Sequence, residues 1–249
     1  MAVDAAEVLE VFDAVARAVS GSLAKVRDWG ETGVRPGQYR ADVLADDAAL
    51  AILRLAGFGI VSEESGIENP NADVIVCLDP LDGSTNASRG IPHFATSLCA
   101  VDADGPWVAM VVHQALPKRW WAVRGEGAHS AIGRIERTTC PPWSEALVAI
   151  SGPAPRNPGW GQFRAFGASA IDLCLVAEGT VDAFIDMSPS AHGVWDYAAA
   201  TLICREAGVE VRDAEGRDLI VLDHHARRTP VAAPPALLPE AMRVRTSNL

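Results

Sequence analysis

The chain has 249 residues, of which 49% are hydrophobic, and it carries 21 basic and 32 acidic residues for a net charge of −11. A chain of this size and composition buries a large core, in one domain or in two tightly joined halves. The negative charge argues against nucleic acid or an anionic membrane as a partner, because both repel an acidic surface. No apolar run approaches the roughly 20 residues that a membrane-spanning helix needs.

The cysteines and the first residues bear on the cellular compartment. The five cysteines show no paired spacing, and four of them lie in apolar segments. This usage is typical of small core residues in a reducing compartment and not of a disulfide framework. The first residues lack the basic segment that opens a signal peptide. We therefore expect a cytoplasmic protein.

Apolar periodicity predicts two helices in the first quarter of the chain, over 3–23 and 46–55. Glycine and proline residues between them predict a loop over 30–38. Asp46 or Asp47 is expected at the start of the second helix, where a carboxylate caps free backbone N–H groups and favours the helix dipole.

Apolar segments then predict a series of strands. The first covers 59–65 and ends in paired glutamates. Strands over 94–101, 107–112 and 119–123 are separated by turn sequences, which indicates an antiparallel meander.

The segment 74–86 has the most specific pattern in the chain. Its first five residues predict a buried strand that stops at Asp79, because Pro80 has no backbone N–H to extend a sheet. Turn-forming and helix-capping residues follow from Asp82 onwards. Two carboxylates three positions apart are thus expected at the end of a buried strand, where their oxygens suit a hard cation such as Mg²⁺.

The same turn is also expected to hold an anion. The backbone N–H groups of residues 83–85 are expected to point outwards as donors. Cations and a phosphate cradle in one turn indicate phosphoryl chemistry. Either aspartate alone is, about half the time, an ordinary turn residue, so the whole string carries the signal.

The string Asp-Pro-Leu-Asp-Gly-Ser-Thr-Asn at 79–86 resembles the signature of the inositol monophosphatase family, magnesium-dependent phosphatases related to fructose bisphosphatase. Segments 43–47, 62–65, 167–170 and 195–208 resemble further family motifs in the family's order. Only the first motif and the one that begins Trp-Asp-x-Ala-Ala are individually specific.

The resemblance implies a site for two or three Mg²⁺ ions, with Mn²⁺ as an alternative. The implied ligands are the side chains of Glu63, Asp79, Asp82 and Asp196 and the carbonyl group of Leu81. An aspartate at a helix start is more commonly a cap, and Asp196 is expected to cap a helix that runs to about residue 207.

The resemblance also implies which residues act on the attacking water. Glu64, Asp47 and the Ser84 hydroxyl would position or deprotonate it. Asp47 receives this role because the segment ending there resembles Val-Thr-x-x-Asp, although Leu44 stands where threonine is usual. A lysine that often precedes this segment is missing, with only Arg40 nearby.

Substrate contacts are implied at both ends of the site. Asp82 and the backbone N–H groups of Gly83 and Ser84 would hold the phosphate, and Ser169 would approach the substrate from a helix start. Close helix packing and capping explain Ser169 equally well. Asp186 stands where a glutamate is common in inositol-type enzymes, and the segment from there to 196 is longer than theirs, so inositol phosphate is only one candidate substrate.

The remaining elements are predicted from local patterns. We expect a seam between halves at 138–144, a loop at 153–161, a helix that ends at Glu178, and strands at 146–151, 181–185, 209–211 and 219–222. Adjacent residues on a strand point to opposite faces, so His224 and His225 are interpreted as surface residues and not as a metal pair.

The implied fold is α/β, an α+β layered sandwich of the order αβαβα, with a largely antiparallel sheet in the first half and a mixed sheet in the second. The expected organisation is one catalytic domain over 1–249, with a metal-binding subdomain at about 1–143 and a substrate-selecting one at about 144–249. Family members are commonly homodimers, so we expect a homodimer whose ligand is a small phosphate ester.

Three functional hypotheses follow. The first is Mg²⁺-dependent hydrolysis of a small phosphate monoester, inositol-phosphate or sugar-phosphate like, by metal-activated water. The second is a phosphatase for 3′-phosphoadenosine 5′-phosphate, fructose-1,6-bisphosphate or histidinol phosphate. A nucleotide or bisphosphate substrate needs a pocket for a base or a second phosphate, and the sequence shows no obvious basic cluster for it. The third is a non-catalytic relative that binds metal or a partner protein.

Overall fold

The structure, a computed structural model, describes residues 3–137, 140–156, 158–189 and 191–247. Its helices are α1 (Ala5–Leu23), α2 (Arg40–Leu55), α3 (Ser84–Ser88), α4 (Ser169–Glu178), α5 (Val194–Glu206) and α6 (Leu238–Thr246), with a single 3-10 turn at Trp143–Glu145 among the described residues. The strands of the first half are β1 (Gly59–Ser62), β2 (Gly66–Glu68), β3 (Ile75–Asp82), β4 (Ala95–Asp102), β5 (Gly105–His113), β6 (Arg119–Val123), β7 (Gly127–Ser130) and β8 (Gly133–Arg134). Those of the second half are β9 (Leu147–Ser151), β10 (Gln162–Arg164), β11 (Ala183–Asp186), β12 (Glu210–Asp213) and β13 (Pro230–Ala233).

The strands form two sheets of different character. The first has the order β2-β1-β3-β4-β5-β6-β7-β8, and every neighbouring pair is antiparallel except the parallel pair β1–β3. The second has the order β10-β9-β11-β13-β12, with β9 parallel to β10 and β11, and β13 antiparallel to β11 and β12. The predicted combination of a largely antiparallel and a mixed sheet is confirmed.

The layers follow from which face of each strand is apolar. Along β3, Val76 and Leu78 point towards α1 and α2, whereas Cys77 points towards α4 and α5, because side chains alternate across a strand. Helices α4 and α5 fill the space between the sheets, with Tyr197 and Phe184 in that core. Helix α6 covers the outer face of the second sheet. The order is the predicted αβαβα sandwich.

Helix α2 begins at Arg40, six positions before the predicted start. The backbone N–H of the preceding Tyr39 donates to Asp42 Oδ2 at 2.7 Å, so Asp42 and not Asp46 or Asp47 serves the helix N-terminus. The expectation that Asp46 or Asp47 caps the helix is therefore wrong. The buried apolar residues of the added part of the helix are alanines, and the bulkier apolar residues there are exposed, which hides the helical periodicity.

Strand β3 continues past Pro80 to Asp82, so the predicted end at Asp79 is also wrong. Its pairing with β4 shifts register between Asp79 and Asp82. Proline is accommodated at such an irregularity, because no regular ladder hydrogen bond is needed from its nitrogen. The Pro80 carbonyl accepts a hydrogen bond from Thr96 Oγ1 at 3.0 Å.

The tail of the chain differs most from prediction. Residues 219–222 form no strand, and the partner of β12 is β13. Proline begins β13, a position where its missing N–H is tolerated, but such a strand has a weak sequence signal. Helix α6 and the short strand β10 were not predicted.

The predicted seam and loops lie partly beyond the described ranges. Residues 138 and 139 of the seam, 157 of the loop at 153–161 and 190 of the segment at 186–196 fall outside the described residues. The division into two subdomains stays a prediction. Four cysteines are buried and unbonded, as expected, and Cys140 is exposed. Among the described residues, no helix combines the length and apolar character needed to cross a bilayer.

Candidate metal and phosphate site

Three carboxylates from distant parts of the chain meet where β1 and β3 end. Glu63 follows β1, Asp79 lies on β3, and Asp196 lies in the first turn of α5. One oxygen atom of each lies within 4.8 Å of those of the other two, and we call this group the carboxylate cluster. The first two come together because β1 and β3 are parallel neighbours that pair Ser62 with Leu78.

Asp196 is oriented by the start of its own helix. It is the third residue of α5, and its Oδ2 accepts a hydrogen bond from the backbone N–H of Gly193 at 2.6 Å. It therefore closes the helix N-terminus from the third helical position and not from the cap position that we expected. Only glycine fits at 193, because a Cβ atom there would lie 2.4 Å from the Trp195 ring.

Asp82 borders the cluster and joins it to the second half of the chain. Its Oδ2 accepts a hydrogen bond from the backbone N–H of Ala170 in α4 at 2.7 Å. The Leu81 N–H donates to Asp79 Oδ1 at 2.9 Å. A cavity of about 230 Å³ lies against these groups, lined by Glu63, Asp79, Leu81, Asp82, Gly83, Ser84, Thr85, Gly167 and Asp196.

Positive charge compensates the acidic residues at this cavity only in part: Arg35 acts on Glu63, and His192 acts on Asp82 and Asp196. Burial raises the pKa of Glu63, Asp79 and Asp82 well above the usual range, and repulsion from the neighbouring carboxylates raises it further. Burial likewise raises the pKa of Asp196. Anions held this close together are costly without cations, and a set of oxygen-only donors suits a hard divalent ion such as Mg²⁺. The residues therefore fit the implied metal.

The structure brings Asp42 to this site and leaves Asp47 outside it. Asp42 is 4% exposed, and its Oδ1 is buried with no hydrogen-bond partner among the described residues. Burial raises the pKa of Asp42 to about 7; the Tyr39 hydrogen bond and nearby Ser84 lower it, whereas the charge of Glu64 raises it. Asp47 lies on the exposed face of α2. The missed signal is the spacing from Tyr39 to Asp42, which reproduces the Thr-x-x-Asp spacing with tyrosine in place of threonine.

Glu64 is held by the loop that precedes α2. Its carboxylate lies 2.5 Å from Arg35 Nη2 and accepts a hydrogen bond from Gln38 Nε2 at 2.5 Å. Arg35 Nη1 also donates to the Glu63 carbonyl at 3.2 Å. Arg35 is therefore the basic residue beside Glu64. Arg40, the basic residue that the sequence offered there, pairs instead with the surface residue Asp28.

The turn between β3 and α3 has the conformation that the sequence implies. Gly83 has a φ of +85°, and a Cβ atom there would lie 2.9 Å from the His93 carbonyl. The turn is tied to the second half of the chain by Asn86, whose Nδ2 donates to the carbonyls of His93 at 2.8 Å and Phe166 at 2.7 Å. Both Gly83 and Ser84 line the cavity.

A second cavity of about 270 Å³ continues from the first on the side of α4. It shares Glu63, Asp82, Gly167 and Asp196 with the first and adds Ser151, Ala168, Ser169, Asp172, Ala191 and His192. Ser169 thus lies at this cavity. Asp186 does not line it and is 0% exposed.

The structure also reveals basic residues that the sequence did not bring together. His224 is half-buried, with Nε2 3.2 Å from the Glu63 carbonyl and its ring 4.8 Å from that of Trp195, so its interpretation as a surface residue is wrong. His225 is exposed as expected. The Arg227 guanidinium lies 5.1 Å from the Trp195 ring. Arg35 and His224 therefore both contact the Glu63 carbonyl, and Arg227 lies near enough to Asp196 to lower its pKa.

Comparison with known proteins identifies a family with sequences similar to this chain. A sequence model described as the inositol monophosphatase family matches residues 38–247. The chain is 36% identical over 184 residues to a protein of Archaeoglobus fulgidus named fructose-1,6-bisphosphatase/inositol-1-monophosphatase, which covers 72% of this chain and 71% of that one. It is 32% identical over 219 residues to Nus factor SuhB of Pasteurella multocida, covering 81% and 79%.

A solved structure has the same fold over nearly the whole chain. Extragenic suppressor protein suhB from Bartonella henselae superposes with a TM-score of 0.81 at 26% sequence identity. The superposition covers 97% of this chain and 99% of that chain.

Proposed function

Because the chain belongs to the inositol monophosphatase family, we propose that it hydrolyses a small phosphate monoester, inositol-phosphate or sugar-phosphate like, with Mg²⁺ as the cofactor. The observation that carries this proposal is the carboxylate cluster, in which three acidic side chains converge within 4.8 Å. Such a costly arrangement has a use when cations and a phosphate are bound, and a purely structural role offers none.

The proposed ligands of two or three Mg²⁺ ions are the carboxylate cluster, Asp82 and the Leu81 carbonyl. Bound Mg²⁺ supplies a water of lowered pKa and positive charge where the leaving oxygen departs. Mn²⁺, which accepts similar oxygen ligands, is expected to substitute.

Asp42, Glu64 and Ser84 are proposed to act on the attacking water. The pKa of Asp42, raised by burial to about 7, suits a group that accepts a proton near neutral pH. Its Oδ1, which has no hydrogen-bond partner among the described residues, is the atom that would do so. Glu64 is fixed by Arg35 and orients the water. Asp42 takes the role assigned to Asp47 from the sequence, because Asp47 is exposed.

The phosphate is proposed to lie against the turn that begins α3. Gly83 and Ser84 line the cavity beside the carboxylate cluster, and their backbone N–H groups are the proposed phosphate donors. Donors fixed in this way stabilise the charge that builds on the phosphate oxygens in the transition state. Ser169 lies further along the cavity, on the side of the alcohol part of the substrate.

A sugar bisphosphate is the second candidate substrate. Arg35 and His224 contact the Glu63 carbonyl and Arg227 lies over the Trp195 ring; these three basic side chains could hold a second anionic group. The name of the Archaeoglobus fulgidus relative includes fructose-1,6-bisphosphatase. We extend the proposal to a homodimer in the cytoplasm; sedimentation velocity and fractionation of cells would test these two points.

Phosphate release from a panel of phosphomonoesters and bisphosphates, with Mg²⁺ and with EDTA, tests the function. We expect Mg²⁺-dependent release that Asp196→Asn abolishes and that Asp104→Asn, a change at an 87% exposed side chain, leaves intact. No release from any ester by the Mg²⁺-loaded wild type would contradict the proposal and favour a non-catalytic binding role.

A further inference from the structure

A histidine–aspartate pair that the proposed chemistry does not use lies beside residues 83–86, which we call the phosphate turn. His93 Nε2 lies 2.9 Å from Asp172 Oδ1, and the two side chains are 15% and 2% exposed. Burial raises the pKa of Asp172 to about 6, although the hydrogen bond with His93 lowers it. His93 precedes β4, and Asp172 lies in the first turn of α4. The pair therefore joins the two halves of the chain next to the second cavity, which Asp172 lines.

Neighbouring rings hold the imidazole of His93 in place. It stacks on Phe166, with 5.0 Å between the ring centroids and 24° between the planes. The ring of His113 lies edge-on to it at 5.9 Å. The pKa of His113 is lowered to about 4, chiefly by burial, so this ring is uncharged at neutral pH and packs against His93 without repelling it.

The backbone of His93 supports the phosphate turn. Its carbonyl accepts a hydrogen bond from Asn86 Nδ2 at 2.8 Å, and a Cβ atom at Gly83 would lie 2.9 Å from the same carbonyl. That Cβ atom would also lie 3.0 Å from the Cβ atom of Ala168, the residue before α4. The phosphate turn, His93 and the start of α4 are therefore closely packed, and a shift of His93 would disturb the other two.

The start of α4 in turn fixes a proposed metal ligand. The backbone N–H of Ala170 donates to Asp82 Oδ2 at 2.7 Å. Ala170 and Asp172 lie in the same turn of the helix, so the contact that fixes one of them also fixes the other. Groups that orient metal ligands matter for binding, and their substitution typically costs about 10- to 100-fold in metal affinity.

We propose that His93, through its pair with Asp172, is a positioning residue for Asp82: it holds the start of α4 so that the Ala170 N–H engages Oδ2 and Oδ1 is left for a divalent ion. This inference rests on the metal site of the proposed function. His93 lines neither of the two cavities, so it acts on the ion only through other groups.

Mg²⁺ binding to the metal-free protein, measured by isothermal titration calorimetry, tests this without requiring turnover. His93→Phe keeps a ring that can stack on Phe166 and removes the nitrogen that pairs with Asp172. We expect it to raise the Kd for Mg²⁺ at least about 10-fold. His93→Gln, whose amide nitrogen reaches about as far as Nε2, should recover part of the affinity, whereas the shorter His93→Asn should not. Loss of positive charge from His93 would strengthen Mg²⁺ binding, so weaker binding reports positioning and not charge.

His129→Phe is the matched control, because His129 also stacks on an aromatic ring, Trp121, at 5.7 Å, and lines neither cavity. Its Kd for Mg²⁺ should stay within about twofold of wild type. Melting curves in EDTA identify the variants that fold, and His93→Asn carries the test if His93→Phe does not.

The outcomes separate this inference from the proposed function. A Kd for Mg²⁺ within about twofold of wild type in the folded His93→Phe or His93→Asn protein, or equal losses in His93→Gln and His93→Asn, would overturn the inference alone. If wild type bound Mg²⁺ but released phosphate from no ester, the proposed function would fail and the Kd values would still decide the role of His93. If wild type bound no Mg²⁺, both would fail.

Discussion

The two walls of the cavity compensate their buried polar groups in opposite ways. The carboxylate cluster and Asp82 gather acidic groups whose mutual repulsion the nearby Arg35, Arg227 and His192 offset only in part. On the other wall, His192 Nδ1 and Asp186 Oδ2 lie 2.8 Å apart, and His192 lines the cavity. The first wall depends on an external cation, whereas the second is complete within the chain.

This difference distinguishes the part of the site that depends on a bound metal from the part that does not. Carboxylates that nearby cations compensate only in part give a site that binds divalent ions and should be sensitive to any change of charge. The His192–Asp186 pair needs no added ion, so its alteration should leave the metal requirement unchanged. The predictions below test this separation, from the largest expected effect to the smallest.

Removing one charge from the first wall should abolish both metal binding and activity. We expect Asp79→Asn and Asp196→Asn to lower kcat at least about 1000-fold, since a bound metal contributes several kcal/mol of charge stabilisation in the transition state. Without metal, both variants should melt at or above the wild-type temperature, because repulsion inside the cluster is relieved. Melting curves with EDTA and with Mg²⁺ would check this. If Mg²⁺ raised the melting temperature of either variant as much as that of wild type, the substituted aspartate would not be a metal ligand.

Helix α2 offers a matched pair of aspartates. Asp42→Asn should lower kcat about 100-fold, the typical contribution of a positioned general base. Asp47→Asn, on the exposed face of the same helix, should stay within about twofold of wild type, as surface changes usually do. Steady-state kinetics at saturating Mg²⁺ decides between them, and a reversed order would return the catalytic role to Asp47.

Asp42 should also make folding stability depend on pH in the metal-free protein. Its pKa is about 7 in the folded state against an ordinary value of 3.8, so the folded state holds a proton that the unfolded state has released. This contribution to stability is complete below about pH 4 and is lost as the pH rises through 7.

Comparison with Asp42→Asn isolates that contribution. From pH 6 to pH 8, the free energy of unfolding of wild type should fall by about 1 kcal/mol relative to the variant. Subtracting the variant removes other titrating groups, such as His113, whose pKa is lowered to about 4, chiefly by burial. Urea unfolding in EDTA measures this difference, and a constant difference across the range would place the Asp42 pKa outside it.

The sequence predicted the layers and the first wall because their signals are local. The strand, the two aspartates and the glycine turn of β3 and α3 lie within 13 residues, and the charge requirement is visible in residue type. The αβαβα order came from the resemblance. Even so, the end of β3 was placed too early, because the register shift that accommodates Pro80 depends on the pairing with β4.

The second wall and Asp42 were missed because they depend on contacts between distant segments. Asp186 does not line the cavity and pairs with His192, and no sequence pattern predicts that pairing. The apolar periodicity did not indicate the start of α2, because the buried apolar residues there are alanines and the larger Val43 and Leu44 are exposed. In the tail, β13 begins with a proline, so tertiary pairing and not local propensity defines the strand.

Crystals soaked in Mn²⁺ test the central claim most directly, because anomalous diffraction locates the ion without assuming any activity. The account predicts anomalous density between the oxygens of Glu63, Asp79 and Asp196 in wild type, and its loss in Asp79→Asn. Well-ordered crystals at saturating Mn²⁺ with no density at that position would contradict it.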